Sequence, residues 1–417
     1  MTFTTARPLA AYITVTGAYW VFMLTDGALR MLVLLHFHTL GFSPVQLAYL
    51  FVLYEVAGVI TNLSAGWIAA RFGLTSTLYA GLGLQVVALL ALAQLDPAWG
   101  LSASVVFVML VQGVSGVAKD LSKMSAKSAV KFLAPSGQGG LFRWVALLTG
   151  SKNAVKGIGF LLGAVMLAFA GFRPSIYAMA AILMAVLLVI VLRMPGGLPM
   201  GKKGVKFTSV FSRDRNVNWL SAARVFLFGA RDVWFVVGIP VYFYAVLSDG
   251  SEAGNRAAFF IIGSFMAVWT ILYGAVQAYA PKVLRAATRP EAQLVTAAKG
   301  WAMALVPVPL VLAVLVSVAG GAAAWLTATI IAGLLVFGAV FAVNSSLHSY
   351  LILAFSHGDR VTMDVGFYYM ANAAGRLLGT LLSGVSYQIG GLPACLGTAA
   401  VMVAFSAIGS GRLRASG

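Results

Sequence analysis

The residues that can do chemistry in this sequence are ionisable side chains that interrupt long apolar runs. A charge at bilayer depth costs about 2.5–3.5 kcal/mol on insertion scales, so such residues normally face a cavity or a partner. The bases outnumber the acids, which predicts a cavity that attracts an anion. The basic residues are Arg30, Lys119, Lys123, Lys152, Lys156, Arg224, Arg231, Lys299 and Arg376, and the acids are Asp26, Glu55, Asp120, Asp232 and Asp364.

Several of these bases recur at helical spacing and therefore share a helix face. A stripe of like charges repels itself, and an anion that visits the stripe relieves the repulsion. The stripes are Lys119, Lys123 and Lys127, four residues apart, then Lys152 and Lys156, four apart, and Arg224 and Arg231, seven apart.

Arginine and lysine bring different chemistry to such a cavity. Arginine presents a planar fork that binds carboxylate or phosphate through two hydrogen bonds, whereas lysine acts as a mobile point charge. A cavity with both suits a multiply charged ligand such as a phosphorylated metabolite. We expect Lys152, Lys156, Arg224, Arg231 and Arg376 to bind its charged ends, with Arg30 and Asn153 as further ligands and Lys119 and Lys123 as the cytoplasmic approach.

The acids are candidates for gating or proton coupling. Asp26 lies four residues before Arg30, and Asp232 follows Arg231, so both acids are expected to form local ion pairs or gates. Glu55, Asp120 and Asp364 are candidates for proton coupling, because a buried carboxylate can take up a proton.

Some of the bases have alternative interpretations. Lys152, Lys156 and Arg376 have no acid nearby in the sequence, which favours a role in the cavity. Lys119, Lys123 and Lys299 have an alternative role, which is to extend towards the cytoplasmic edge of the membrane. For Asn153, the alternative is a hydrogen bond between helices.

The elements that must position these side chains are membrane-spanning helices. Hydrophobic residues make up 61% of the 417 positions, only 9% are charged, and the mean hydropathy is +0.94. A span needs about 20 apolar residues. The pattern predicts an all-α integral membrane protein with twelve transmembrane helices, near 10–36, 45–70, 75–95, 101–126, 142–170, 174–194, 217–247, 256–281, 292–318, 322–354, 363–388 and 392–410.

The longest polar connection predicts the domain organisation. It divides the chain into an N-terminal six-helix half at 1–194, a cytoplasmic linker at 195–216 and a C-terminal six-helix half at 217–417. Many secondary transporters are built from two such halves, with the substrate site near the midplane between them. A faint internal repeat supports the division, since Gly27-Ala28 in the first helix matches Gly229-Ala230 in the seventh.

The loop charges predict the orientation. Nearly all loop Lys and Arg residues fall on one side of the predicted topology, whereas the other side holds only Arg173 and Arg256. By the positive-inside rule both termini are cytoplasmic. We expect a multi-pass protein of the inner, or plasma, membrane. The net charge of +17 is dispersed among short loops, which argues against a nucleic-acid partner.

Motifs for other classes of function are missing from the sequence. It has no phosphate-cradling glycine loop with a Lys-Ser or Lys-Thr end, so no ATP-driven pump is indicated. It shows no pairing of a nucleophile with a base, and its single cysteine is Cys395. We therefore expect neither an enzyme nor a bound cofactor or metal.

Longer strings carry a resemblance to a known family. The segment 66–73 resembles the loop signature of the major facilitator superfamily, although Ala70 stands where that superfamily usually has Asp. Over most of its length the chain resembles one branch, the organoarsenical efflux permeases of the ArsJ type. The strings that carry this likeness are 24–30, 118–129, 148–157, 221–235 and 277–281.

The resemblance implies a substrate, a partner and a direction of transport. The substrate would be 1-arseno-3-phosphoglycerate, the functional partner a glyceraldehyde-3-phosphate dehydrogenase that makes it from arsenate, and the direction outward. Two alternatives stay open. One is an organophosphate or phosphate exchanger of another specificity, and the other is a membrane receptor that senses an anion without transporting it.

Overall fold

The computed structural model describes residues 6–133, 140–194, 212–285, 288–319, 323–356 and 361–415. Within those ranges the structure describes the backbone alone at 6–12, 65–66, 69–70, 127–133, 140–149 and 361–362. The described chain is helical and contains no β-strand, so the all-α prediction is confirmed for this part of the protein.

The helices follow the apolar runs of the sequence. In chain order they are α1 (Ala6–Thr39), α2 (Pro44–Tyr49), α3 (Val52–Leu63), α4 (Ala65–Leu92), α5 (Leu101–Leu133), α6 (Gly140–Ala170), α7 (Phe172–Arg193), α8 (Arg215–Val233), a π-helical turn (Trp234–Gly238), α9 (Ile239–Leu247), α10 (Glu252–Leu284), α11 (Glu291–Leu305), α12 (Pro307–Val318), α13 (Ala324–Phe355) and α14 (Val361–Ser410).

Eleven helical stretches of the described chain are long and apolar enough to cross a membrane. The last, Met363–Ser410, has 48 residues and is far longer than the roughly 20 that one span requires. Its backbone leaves the helical region at Gly390 and Gly391, where φ is −150° and 61°. This break lies between the two last predicted spans and supports the count of twelve, which stays a prediction.

The start of the bundle departs from the predicted helix limits. The predicted span at 45–70 is divided, because α2 ends at Tyr49, α3 ends at Leu63, and α4 continues past residue 70. The break before the third span occurs at Gly73, whose φ of 75° is a left-handed conformation that glycine adopts without a steric penalty.

Helix packing relates the N-terminal helices (α1–α7) to the C-terminal helices (α8–α14). Helix α1 packs on α6, and α8 packs on α14. Between the two groups, α6 packs on α10 and α3 packs on α14. The linker predicted at 195–216 lies mostly outside the described residues.

The faint sequence repeat corresponds to a shared mode of packing. A Cβ at Gly27 of α1 would lie 2.5 Å from the Lys156 carbonyl oxygen of α6, and one at Gly229 of α8 would lie 3.0 Å from the Gly375 oxygen of α14. Such close backbone approach is possible only where the side chain is absent. The matched glycines therefore let α1 and α8 each contact a partner helix closely.

Candidate functional site

The centre of the candidate site is an ion pair network that joins the two groups of helices. Glu55 of α3 is fully buried, and its two carboxylate oxygens have different partners. Arg30 of α1 donates from Nη1 to Oε1 at 3.2 Å, and Arg376 of α14 donates from Nη2 to Oε2. Glu55 thus compensates one cation from each group of helices.

Asp26 anchors a second part of the network, on the N-terminal side. The Tyr54 hydroxyl donates to Oδ1 at 2.5 Å, and the Lys156 ammonium donates to Oδ2 at 2.6 Å. The predicted Asp26–Arg30 pair is wrong. The two residues share a helix face, but Asp26 reaches α6 whereas Arg30 reaches Glu55 on α3.

Lys156 and Arg376 have acidic partners that the sequence did not indicate. These partners are Asp26 for Lys156 and Glu55 for Arg376, at separations of 130 and 321 positions. Because neither acid is local in sequence, the spacing gave no sign of them. The absence of a nearby acid in the sequence therefore did not mean that these two bases lack acidic partners in the fold.

Asp232 holds the C-terminal part of the network. Arg231 contacts its Oδ1 at 2.5 Å, so the predicted Arg231–Asp232 pair is confirmed. The Arg376 Nε lies 3.9 Å from the other carboxylate oxygen. Arg376 therefore lies between two carboxylates, that of Glu55 in the N-terminal helices and that of Asp232 in the C-terminal helices.

A π-helical turn follows Asp232 directly. In this turn the Val237 and Gly238 N–H groups donate to the Ser383 hydroxyl of α14, at 3.0 and 3.2 Å. Such turns within α-helices often occur at functional sites. Here the turn places Arg231 and Asp232 at the end of the regular helix α8, beside α14.

Asp120 forms a separate cluster between α3 and α5. Lys123 donates to Oδ1 at 2.6 Å, and Thr61 donates to Oδ2 at 2.8 Å. Lys123 also donates to the Asn62 side-chain oxygen at 2.7 Å. Asp120 therefore fixes Lys123, the second residue of the predicted lysine stripe.

Lys119 is the buried cation of that stripe. The residue is 5% exposed, and its ammonium lies 4.0 Å from the centroid of the Tyr54 ring. Within the described ranges, its Nζ has no hydrogen-bond acceptor and no carboxylate at ion pair distance. Lys119 belongs to the interior beside Tyr54, so the alternative of extension to the membrane edge does not describe it. The Lys127 side chain, predicted on the same stripe, lies outside the described side chains.

Arg224 is a buried arginine held by neutral groups. Its Nε donates to the Asn372 oxygen at 3.0 Å, and its Nη1 donates to the backbone and hydroxyl oxygens of Ser345 at 2.9 and 3.0 Å. The guanidinium lies 3.9 Å from the Phe228 ring centroid and 5.0 Å from that of Tyr368. These contacts fix the orientation of the guanidinium group. No carboxylate of the described chain forms an ion pair with it.

The other predicted ligands have varied surroundings. Asn153 of α6 donates to the Gln277 oxygen of α10 at 3.2 Å, which matches its alternative role as a hydrogen bond between helices. Lys152, one residue before Asn153, is half-buried, whereas Lys299 is exposed and lies close to Gly411 near the end of the described chain. Asp364 is buried, and its Oδ1 has no hydrogen-bond partner among the described residues.

Sequence reasoning missed several neutral residues that complete the site. Tyr54, Ser345 and Tyr368 contact the charged groups through hydrogen bonds or ring contacts, and Gln277 accepts from Asn153. None of the four is charged or repeated in a pattern. Their types alone give no signal inside an apolar run. In the described residues no group of three His, Cys, Asp or Glu side chains is arranged to hold a metal ion.

Solved structures share this fold. A POT family transporter in complex with 5-aminolevulinic acid is 12% identical, with a TM-score of 0.71 over 95% of this chain and 94% of that chain. A POT family transporter in complex with a thioalcohol conjugated peptide is 12% identical, with a TM-score of 0.68 over the same shares. A mutant of the nucleoside transporter NupG is 15% identical, with a TM-score of 0.67 over 96% and 98%.

These likenesses define the class of structure. The chain is a multi-pass, all-helical membrane protein with the fold of solved transporters. No protein-family model matches the sequence, and a comparison with curated proteins finds no match. At such low identity the likeness shows the fold alone, and a fold hosts many functions.

Proposed function

We propose that the protein is a secondary transporter that exports a multiply charged anion by alternating access between its N-terminal and C-terminal halves. The observation that carries this proposal is the pair of buried cations Lys119 and Arg224, one in each group of helices, neither of which has a carboxylate at ion pair distance in the described chain. Charges in a membrane interior normally have a partner or serve a ligand. An anion that contacts both groups would give each of these two cations a direct ionic partner.

The proposed substrate is an arsenylated phosphate ester, 1-arseno-3-phosphoglycerate. Its phosphate and arsenate groups accept hydrogen bonds from guanidinium and ammonium donors. Arg30, Arg231, Arg376, Lys152 and Lys156 would supply further donors, and Lys123 the approach to the site. The arsenical identity, the outward direction and the partner dehydrogenase rest on the sequence resemblance to ArsJ-type permeases.

Proton coupling is a further part of this proposal. The candidates Glu55 and Asp120 are both held by cations, whereas Asp364 retains a buried oxygen with no partner in the described chain. Uptake into inverted vesicles with and without an imposed pH gradient tests the coupling. Equal rates in both conditions would show that protons do not drive the cycle.

Resistance to arsenate tests the proposed substrate in cells. Cells that produce this protein together with a glyceraldehyde-3-phosphate dehydrogenase should grow at higher arsenate concentrations than cells that produce the dehydrogenase alone. Single changes of Lys152, Lys156 and Arg224 to Gln should reduce this protection at equal protein levels. If the wild-type protein gives no protection either, the result would favour the organophosphate exchanger or the anion receptor.

A further inference from the structure

Glu55 lies where an anionic substrate would bind the arginines of the site. Its carboxylate is fully buried, and each oxygen is occupied by a different guanidinium group. Arg30 belongs to α1 in the N-terminal group, and Arg376 belongs to α14 in the C-terminal group. The carboxylate therefore does what the proposed substrate would do, because it neutralises cations from both groups at once.

The arginines remain partly accessible although Glu55 is not. The exposed fraction of the Arg30 side chain is 14% and that of Arg376 is 21%, against 0% for Glu55. Arg30 also has a buried Nη2 without an acceptor among the described residues. Part of each arginine side chain is thus accessible while Glu55 is bound, and this Arg30 Nη2 is a further donor that is enclosed in this conformation.

The network continues from Arg376 into the C-terminal helices. Arg376 lies within 3.9 Å of Asp232, and Asp232 binds Arg231. Charges therefore alternate in sign from Arg30 through Glu55, Arg376 and Asp232 to Arg231. When an anion takes Arg376 from Glu55, the other members of the network keep their partners.

The chemistry of exchange follows from the donors. Guanidinium groups bind carboxylate, phosphate and arsenate oxygens through the same charge-assisted hydrogen bonds. Removing one partner from a buried ion pair leaves an uncompensated charge, which is strongly destabilising. An empty site that lacked Glu55 would leave Arg30 without a carboxylate, and Arg376 with Asp232 at 3.9 Å alone, during the conformational change.

We propose that Glu55 is an internal substitute for the transported anion, which occupies Arg30 and Arg376 whenever the site is empty. The empty protein can then return to its starting conformation without carrying a second anion. Net efflux consequently needs no counter-anion, whereas a carrier without Glu55 would be restricted to exchange. This inference rests on the proposed export function.

The test separates net efflux from exchange in proteoliposomes. Glyceraldehyde-3-phosphate dehydrogenase is enclosed with ³²P-labelled glyceraldehyde 3-phosphate, arsenate and NAD⁺, so that the labelled ester forms inside. Efflux is measured into plain buffer and into buffer in which the same enzyme generates unlabelled ester. Vesicles loaded with labelled 3-phosphoglycerate form the comparison arm.

The variant is Glu55→Gln, which keeps the side-chain shape and removes the charge. We expect efflux into plain buffer to fall by about tenfold or more, which corresponds to about 1.4 kcal/mol in the barrier, while exchange is retained. Glu252→Gln is the matched control, since Glu252 also pairs with an arginine but is 81% exposed. This control should change neither rate.

The outcomes distinguish this inference from the proposed function. An equal loss of net efflux and exchange in Glu55→Gln would overturn the inference and leave export standing. No efflux of labelled ester from wild-type vesicles in either buffer would overturn the export function itself. A second variant serves if the Glu55→Gln protein does not accumulate. The same two rates are then measured for Glu55→Asp, whose shorter side chain lengthens both ion pairs. Net efflux should then fall more than exchange, and equal falls would contradict the inference.

Discussion

Glu55 of α3 and Arg376 of α14 form an ion pair between residues that are 321 positions apart in the sequence. This pair joins the N-terminal and C-terminal helices at the centre of the charged network. Any movement that separates α3 from α14 at this level must break it. The contact therefore links the occupancy of the site to the relative position of the two groups of helices.

The first prediction concerns Arg376. Arg376→Gln leaves Glu55 with Arg30 alone, and breaking a buried ion pair costs about 3–5 kcal/mol. We expect a lower thermal unfolding midpoint in detergent and loss of arsenate protection. Arg376→Lys should recover stability better than transport, because lysine supplies the charge without the planar fork. Full transport by Arg376→Gln would show that the pair is dispensable.

The second prediction concerns Arg224. Asn372 and Ser345 hold this guanidinium in a fixed direction, so its loss removes an oriented donor. A hydrogen bond to a charged group contributes about 1.5–3 kcal/mol, so Arg224→Gln should raise the half-saturating substrate concentration about tenfold or more. The control is Arg256→Gln, which changes an exposed arginine. If both variants have the same half-saturating substrate concentration, Arg224 does not bind the substrate.

The third prediction separates stability from transport at Lys119. Lys119→Met replaces a buried cation that has no acceptor in the described chain with an apolar side chain of similar length. Since burial of an unpaired charge is costly, the thermal unfolding midpoint should stay the same or rise. Transport should fall, because a donor to the anion is lost. A drop in stability together with unchanged transport would assign Lys119 a structural role only.

The fourth prediction tests the helix contact that positions Asp26 and Lys156. A Cβ at Gly159 would lie 2.4 Å from the Leu24 carbonyl oxygen, whereas one at Gly17 would have no atom within 4 Å. Gly159→Ala should destabilise the protein by about 1–3 kcal/mol, the usual cost of overpacking. Gly17→Ala should be tolerated. The measurement is the folded fraction by size-exclusion chromatography, and equal yields of the two variants would contradict the close packing of α1 on α6.

The sequence predicted the positions of the helices better than the ion pair partners of the charged residues on them. Apolar run length is a local property, so the spans could be located, and the neighbouring residues Arg231 and Asp232 could be paired correctly. The partners of Lys156 and Arg376 depend on how helices pack, and the four-residue spacing of Asp26 and Arg30 suggested a pair that packing does not form. The π-helical turn at Trp234–Gly238 likewise depends on the Ser383 hydroxyl of a distant helix.

The candidate site shows the same division between local and long-range information. The excess of basic residues was visible in the sequence and led to the prediction of an anionic ligand. The sequence favoured Lys156 and Arg376 as the bases without acids. In the described chain these two have acidic partners, whereas Lys119 and Arg224 have no carboxylate at ion pair distance. That distinction requires the positions of Tyr54, Asn372 and Ser345, whose neutral side chains carry no pattern.

Transport of the ester itself tests the central claim most directly. Inside-out vesicles that contain the protein are supplied with glyceraldehyde-3-phosphate dehydrogenase, ³²P-labelled glyceraldehyde 3-phosphate, NAD⁺ and arsenate, and accumulation of label is compared with that from 3-phosphoglycerate alone. The proposed function predicts uptake that requires both arsenate and the protein and that Arg224→Gln reduces. Uptake no greater than in protein-free vesicles, or equal uptake of 3-phosphoglycerate, would contradict it.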